Sequence, residues 1–196
     1  GSVDLDLHLH RPADTTPWSF SGQGQDCTWA NCTIEQFKVA GAGPDWFDGV
    51  APPDPVDWHL DPVFERNTCY FAPHGKGMEW QALGKGCHNP RLDLDNTQCD
   101  PLVLDVDDAA FCAPENANVD FPPAGKWFRI GVHYFTNNGL PVDVHPRVKV
   151  FCEGALAAEL GPAGYYAPVA PVTFTPQDGA GASGHRFWMV ADVGFE

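Results

Sequence analysis

Apolar and polar residues alternate strictly at the start of the chain, from Val3 to His10. Successive side chains of an extended backbone point to opposite sides, so this alternation gives the segment two different faces. The polar face consists of Asp4, Asp6, His8 and His10, and the apolar face of Leu5, Leu7 and Leu9. The pattern predicts a half-buried β-strand that ends before Pro12. Because a lone strand is not stable, the chain must supply partner strands for it.

Three later segments repeat the two-residue period, at 126–135, 147–152 and 186–195. In 126–135 the apolar face consists of Phe128, Ile130, Val132 and Tyr134. In 147–152 it consists of Val148, Val150 and Cys152, which we expect to point inward. In 186–195 it consists of Phe187, Met189, Ala191 and Val193. No long stretch has the helical period, so the fold class is all-β. The half-polar strands favour antiparallel pairing, in a β-sandwich of jelly-roll or immunoglobulin-like type with long disulfide-stapled loops.

Shorter sequence patterns predict further elements in the second half of the chain. The sequences Asn137-Asn138-Gly139 and Glu153-Gly154 predict turns. Residues 155–160 are compatible with a strand or a short helix, and 172–174 with a strand.

Residues 11–90 have little periodicity, and they contain five of the seven tryptophans and four of the seven cysteines. A structureless loop of this length is unusual in a compact domain. We therefore expect short strands and turns stapled by disulfides, with one helical turn at 33–38. The chain is predicted to be one domain over 1–196, with a loop-rich insertion at approximately 11–90.

The seven cysteines include no CxxC pair, which argues against a zinc ribbon or a thioredoxin-type site. Disulfides are the better explanation, and they predict a secreted, periplasmic or cell-surface location. Several connectivities are open; the local one joins Cys27 to Cys32, Cys69 to Cys87 and Cys99 to Cys112. It leaves Cys152 as a small buried hydrophobe. The opening Gly1-Ser2 is typical of a cloning scar, which suggests a chain excised from a longer precursor.

The formal net charge is -15, from 26 acidic and 11 basic residues. This balance disfavours nucleic acid and anionic membrane surfaces as partners and favours cations. No apolar run approaches the length of a membrane helix, so no membrane insertion is expected.

Acidic residues two apart recur in three segments, and together with their neighbours they form the candidate metal site. The candidate ligands are Asp4, Asp6, Asp93, Asp95, Asp105, Asp107, Asp108, Glu115 and Asn116. In each extended segment the two carboxylates would share one face, with apolar residues anchoring the other. Calcium favours such oxygen ligands, so the sequence predicts a Ca²⁺ site; a solvated acidic face is the alternative. None of the segments has the glycine and final glutamate of an EF-hand loop.

The histidines allow a zinc site, because His8 and His10 share a face with the first acidic pair. The simpler expectation, which we prefer, is that they and His133 lie at the surface or hydrogen-bond to the ligating carboxylates. Motifs of serine hydrolases, P-loop enzymes and zincins are absent from the sequence. We therefore expect no catalysis. Two alternatives stay open: a glycan hydrolase that uses paired carboxylates, and a carbohydrate- or protein-binding module that uses exposed tryptophans.

Several short motifs along most of the chain resemble one family. They are Asp4–His8, Asp26–Cys32, Pro44–Trp46, 89–96 through Pro114-Glu115-Asn116, Gly125–Phe135 and Val148–Leu156. The chain resembles the calcium-associated β-sandwich modules of myxobacterial and related bacterial secreted or surface proteins, akin to the YfaP-type domain and more distantly to the bacterial pre-peptidase C-terminal domain. The resemblance implies an accessory, adhesive or binding module without catalytic activity.

One departure from that family concerns the acidic block, which occurs twice, at 92–96 and at 104–108. Only the second copy has the family's spacing to Pro-Glu-Asn. Cys99 and Cys112 flank the extra piece, which we interpret as a disulfide-closed insertion. Either copy can therefore fill the family's role.

Overall fold

The computed structural model describes residues 2–11, 14, 16–18, 26–33, 70–71, 78–79, 90–119, 122, 124–161, 173–175, 178 and 187–195, with the backbone alone at 70–71, 78–79 and 93–94. The strands are β1 Asp4–His10, β2 Tyr70–Phe71, β3 Met78–Glu79, β4 Arg91–Leu94, β5 Asn116–Asn118, β6 Trp127–Thr136, β7 Val148–Cys152, β8 Ala155–Leu160 and β9 Phe187–Gly194, and one short helix, α1, spans Trp29–Cys32. The all-β prediction is confirmed for this part of the chain. The pairs β2–β3, β4–β5 and β7–β8 are antiparallel.

A three-stranded sheet has the order β1-β6-β9. The predicted inward face of β6 is buried as expected, through Phe128, Ile130, Val132 and Tyr134. In β9 the buried residues are Trp188 and Val190, whereas Met189 on the face singled out from the sequence is 67% exposed. Apolar residues occupy both faces of β9, so the two-residue period alone does not decide which of them is buried.

The β7–β8 pair is a hairpin closed by Glu153 and Gly154, whose φ angles of 50° and 80° suit a tight two-residue turn. Residues 155–160 therefore form a strand and not a helix. The prediction that Cys152 points inward is wrong, because its thiol is free and exposed. The pairing register shifts between Val150 and Phe151, and such an irregularity interrupts the alternation of faces on which the prediction depended.

Both ends of β1 pair with cysteines that belong to disulfides. Val3 forms an antiparallel bridge with Cys99, and Leu9 forms one with Cys27. The Cys27–Cys32 and Cys99–Cys112 disulfides are present as predicted, and they indicate an oxidising compartment. The expected Cys69–Cys87 bridge lies outside the described residues.

The short helix α1 begins after Thr28, which with Asn31 forms a capping box. Its N-cap Thr28 follows Cys27 directly, and the helix carries Cys32 at its end. The helical turn expected at 33–38 falls largely outside the described residues; the helix found here lies just before it. The described part of the chain contains no helix with the length and apolar character needed to span a bilayer.

The chain divides into two compact units, and β1, β6 and β9 each contribute residues to both. One unit consists of Gly1–Asp6, Asn96–Cys112 and Gly131–Ala191. It contains the β7–β8 hairpin, the Cys99–Cys112 disulfide and the Val144–Phe174 bridge. The other consists of Leu7–Asp95, Ala113–Ile130 and Asp192–Glu196, and it contains α1, the Cys27–Cys32 disulfide and the β4–β5 pair.

Replacing Cys99 and Cys112 together by serine should destabilise the protein by about 3 kcal/mol, because the unfolded chain regains the freedom of a loop of this size. Urea denaturation monitored by tryptophan fluorescence measures the change. Cys152→Ser is the matched control, since it removes an exposed thiol without opening a loop. Equal urea denaturation midpoints for the double variant and this control would contradict the prediction.

The exposed Cys152 thiol should react with iodoacetamide in the folded protein without denaturant. Mass spectrometry of the peptide that contains Cys152 measures the extent of alkylation. If this peptide is modified only after unfolding, the thiol is buried as the sequence first suggested.

Candidate metal centre

The polar face of β1 is the more buried of its two faces. Asp4 and Asp6 are 6% and 3% exposed, and His8 and His10 are 0% and 1% exposed. Leu5 and Leu7, on the opposite face, are only half-buried. The predicted strand is confirmed, but four side chains that can ionise or ligate a metal occupy its interior face. Burying ionisable groups is unfavourable unless other groups or ions compensate their charge and polarity.

The β4–β5 hairpin supplies two more carboxylates. Leu94 at the end of β4 pairs with Asn116 at the start of β5. Asp95 and Glu115 are the next residues beyond this pair, so the pairing sets them side by side. The backbone N–H of Leu7 donates a hydrogen bond to Oε2 of Glu115 at 2.6 Å. Glu115 is thereby held against the middle of β1.

Four of the predicted ligands come together. Asp4, Asp6, Asp95 and Glu115 each offer a carboxylate oxygen, and these oxygens all lie within 4.8 Å of one another. Two oxygens bound to the same calcium ion at about 2.4 Å can be at most about 4.8 Å apart. The group therefore meets the basic geometric condition for ligands of one metal ion.

Ionised carboxylates this close repel one another. At an effective dielectric constant of about 20, two like unit charges about 4.8 Å apart repel by about 3.5 kcal/mol. Six such pairs exist among four groups, and the burial of Asp4 and Asp6 limits screening by water. A divalent cation placed between these carboxylates would offset this repulsion. The cluster can accordingly hold a metal ion.

The acidic residues at 105–108 lie elsewhere. Asp105, Asp107 and Asp108 are exposed and do not belong to the four-carboxylate group. Oδ1 of Asp105 accepts a hydrogen bond from the N–H of Asp107 at 3.0 Å, and Oδ1 of Asp108 accepts one from the N–H of Ala110 at 2.8 Å. The side chains of Asp105 and Asp108 thus take part in Asx turns.

The segment around these aspartates is also not the core-anchored strand that the pattern suggested. It consists of turns, and its apolar residues are largely exposed, with Leu104 at 85% and Val106 at 48%. The side chain of Asp93 lies outside the described residues. Asn116 is half-buried in β5, next to Glu115.

The histidines lie close to acidic side chains. Nδ1 of His133 is 3.3 Å from Oδ2 of Asp6, as the preferred interpretation of this residue expected. Nδ1 of His10 contacts Oδ1 of Asp26, and both side chains are buried. Asp26 was missed as a site residue because no spacing in the sequence marks it. It becomes recognisable only once the pairing of Leu9 with its neighbour Cys27 is known.

Comparison with family models, with curated proteins and with solved structures gives no match for this chain. The chemistry of the β1 cluster is therefore the main guide to function.

Proposed function

We propose that this chain is a calcium-binding, non-catalytic β-sandwich module of a secreted or cell-surface bacterial protein, with an accessory, adhesive or binding role. The observation that carries the proposal is the group of four carboxylates, Asp4, Asp6, Asp95 and Glu115, whose oxygens lie within 4.8 Å of one another. The two disulfides support an extracellular setting. Millimolar calcium is available in such a setting.

The donor set favours calcium over other common ions. All four side chains are carboxylates, which are hard ligands that suit Ca²⁺, Mg²⁺ and Mn²⁺ better than Zn²⁺ or Cu²⁺. Mg²⁺ requires tight octahedral geometry and gives up its water reluctantly, whereas Ca²⁺ accepts irregular sets of about six to eight oxygens. Backbone carbonyls and water would complete the shell.

Burial of the β1 carboxylates also supports a structural role in preference to hydrolysis. A glycosidase needs two carboxyl groups that face a substrate in an open cleft, whereas Asp4 and Asp6 are almost completely buried. An ion at this place would cross-link β1 with the β4–β5 hairpin. Of the tryptophans considered for a carbohydrate surface, Trp46, Trp58 and Trp80 lie outside the described residues.

Chelation should lower the melting temperature, and calcium should restore it. Calcium that binds only the native state stabilises the fold by about 1.4 kcal/mol when the free calcium concentration is ten times Kd. For a chain of this size that corresponds to about 3–6 °C. Differential scanning calorimetry of chelator-treated protein, with and without calcium or magnesium, measures the shift. Equal melting temperatures in chelator and in calcium would refute the calcium site.

Replacing Asp95 by Asn should have opposite effects in the two metal states. Without calcium the variant should melt higher than the parent, because one negative charge leaves the cluster. With calcium the difference should shrink or reverse, because a ligand is lost. Asp4→Asn and Asp6→Asn should likewise blunt the calcium response.

The matched control is Asp107→Asn, which removes the same charge from an exposed turn outside the cluster. Its calcium-dependent shift in melting temperature should equal that of the parent. A calcium response that is lost in this control and kept in Asp95→Asn would place the ion at the exposed turn instead.

A further inference from the structure

A second group of metal-ligating side chains adjoins the carboxylates. Asp6, His8 and His133 each offer a ligand atom, and these atoms lie within 4.8 Å of one another. Asp6 belongs to both groups. The second group differs from the first in chemistry, because two of its three donors are imidazole nitrogens.

This donor set suits a borderline-soft transition-metal ion and not calcium. Zinc sites with three protein ligands from histidine and carboxylate are common, and they leave a fourth position for water or another ligand. Calcium takes oxygen ligands almost exclusively. Zinc also has no redox chemistry, so an oxidising compartment does not alter its binding.

The distance between His133 and Asp6 fits two ligands of one zinc ion. Ligand atoms bound tetrahedrally at about 2.0–2.1 Å from zinc are about 3.4 Å apart. Nδ1 of His133 and Oδ2 of Asp6 are 3.3 Å apart, which is longer than the usual N–H···O hydrogen bond of about 2.9–3.0 Å. A bound ion would therefore need little rearrangement of this pair.

The surroundings of the group also suit a metal centre. His8 is 0% exposed, and its ring lies edge-on to Trp18 at 6.5 Å. The rings of Phe135 and Phe187 lie 6.1 Å and 6.4 Å from that of His133. The burial of His8 limits solvent access on its side of the group.

Charge balance provides a separate argument. The two groups together contain four carboxylates, Asp4, Asp6, Asp95 and Glu115, and two imidazoles that are neutral when they ligate a metal. One divalent cation neutralises only half of the four negative charges. A second divalent cation on the histidine side would neutralise the remainder, with Asp6 bridging the two ions through its two oxygens.

We propose that Asp6, His8 and His133 bind a zinc ion beside the calcium site. The ligands come from two strands, with His8 and Asp6 on β1 and His133 on β6. Zinc would thus connect these neighbouring strands of the three-stranded sheet, and its fourth position would be free for an exchangeable ligand.

The test is titration of metal-free full-length protein with Co²⁺ and with Zn²⁺, each in the presence and in the absence of saturating calcium. Cobalt gives visible absorption bands that report its coordination, and calorimetry gives the affinity for zinc. The parent should bind Co²⁺ with intense tetrahedral-type bands that zinc abolishes. His133→Gln, which changes a half-buried side chain, should weaken zinc binding at least about tenfold. It should leave the calcium-dependent shift in melting temperature intact.

His145→Gln is the matched control, since His145 is exposed and lies outside the group. It should bind zinc as the parent does. His8→Asn is a second ligand variant, and the calcium-dependent shift serves as its check of folding. Zinc binding weaker than about 100 µM in the parent, or equal affinities in parent, His133→Gln and His145→Gln, would overturn the proposal. Because both metals are also tested separately, failure of the zinc site is distinguishable from failure of the calcium site.

Discussion

Burial of like charge on one face of β1 is the constraint on which the rest of the described structure depends. Asp4 and Asp6 are placed in the interior, where Asp95 and Glu115 approach them to within 4.8 Å. The backbone N–H of Leu7 in β1 donates a hydrogen bond to Glu115 and so fixes one of these carboxylates beside the strand. A cation among the four carboxylates would offset their mutual repulsion.

The histidines extend the same row of buried polar groups. His10 is compensated within the protein itself, by the carboxylate of Asp26. Oδ2 of Asp6 lies 3.3 Å from Nδ1 of His133. The row thus passes from carboxylates to imidazoles along a single strand.

The sequence predicted the elements better than their faces. The alternation in β6 identified both the strand and its buried side, because Phe128, Ile130 and Val132 alternate along the chain with Arg129, Gly131 and His133. In β9 both faces are apolar, and in β1 the polar face is the interior one. The two-residue period determines which residues share a face of the strand, but it does not determine which face packs against the core.

The residues of the candidate site were likewise predictable only in part. The pair Asp4 and Asp6 could be predicted from its spacing alone. The pattern Asp-apolar-Asp at 105–107 looked equivalent, but it lies in an exposed turn in which Asp105 accepts a hydrogen bond from the backbone N–H of Asp107. The partners Asp95 and Glu115 are brought together by the register of β4 with β5, which a single sequence does not reveal.

The bridges from Val3 to Cys99 and from Leu9 to Cys27 give β1 a dependence on its chemical environment. Each end of the strand pairs with a half-cystine, and its middle carries the acidic cluster. A reducing medium opens both disulfides, whereas an oxidising medium keeps them closed. The backbone pairing at each end of β1 therefore depends on a partner residue whose own position is fixed by a redox-sensitive bond.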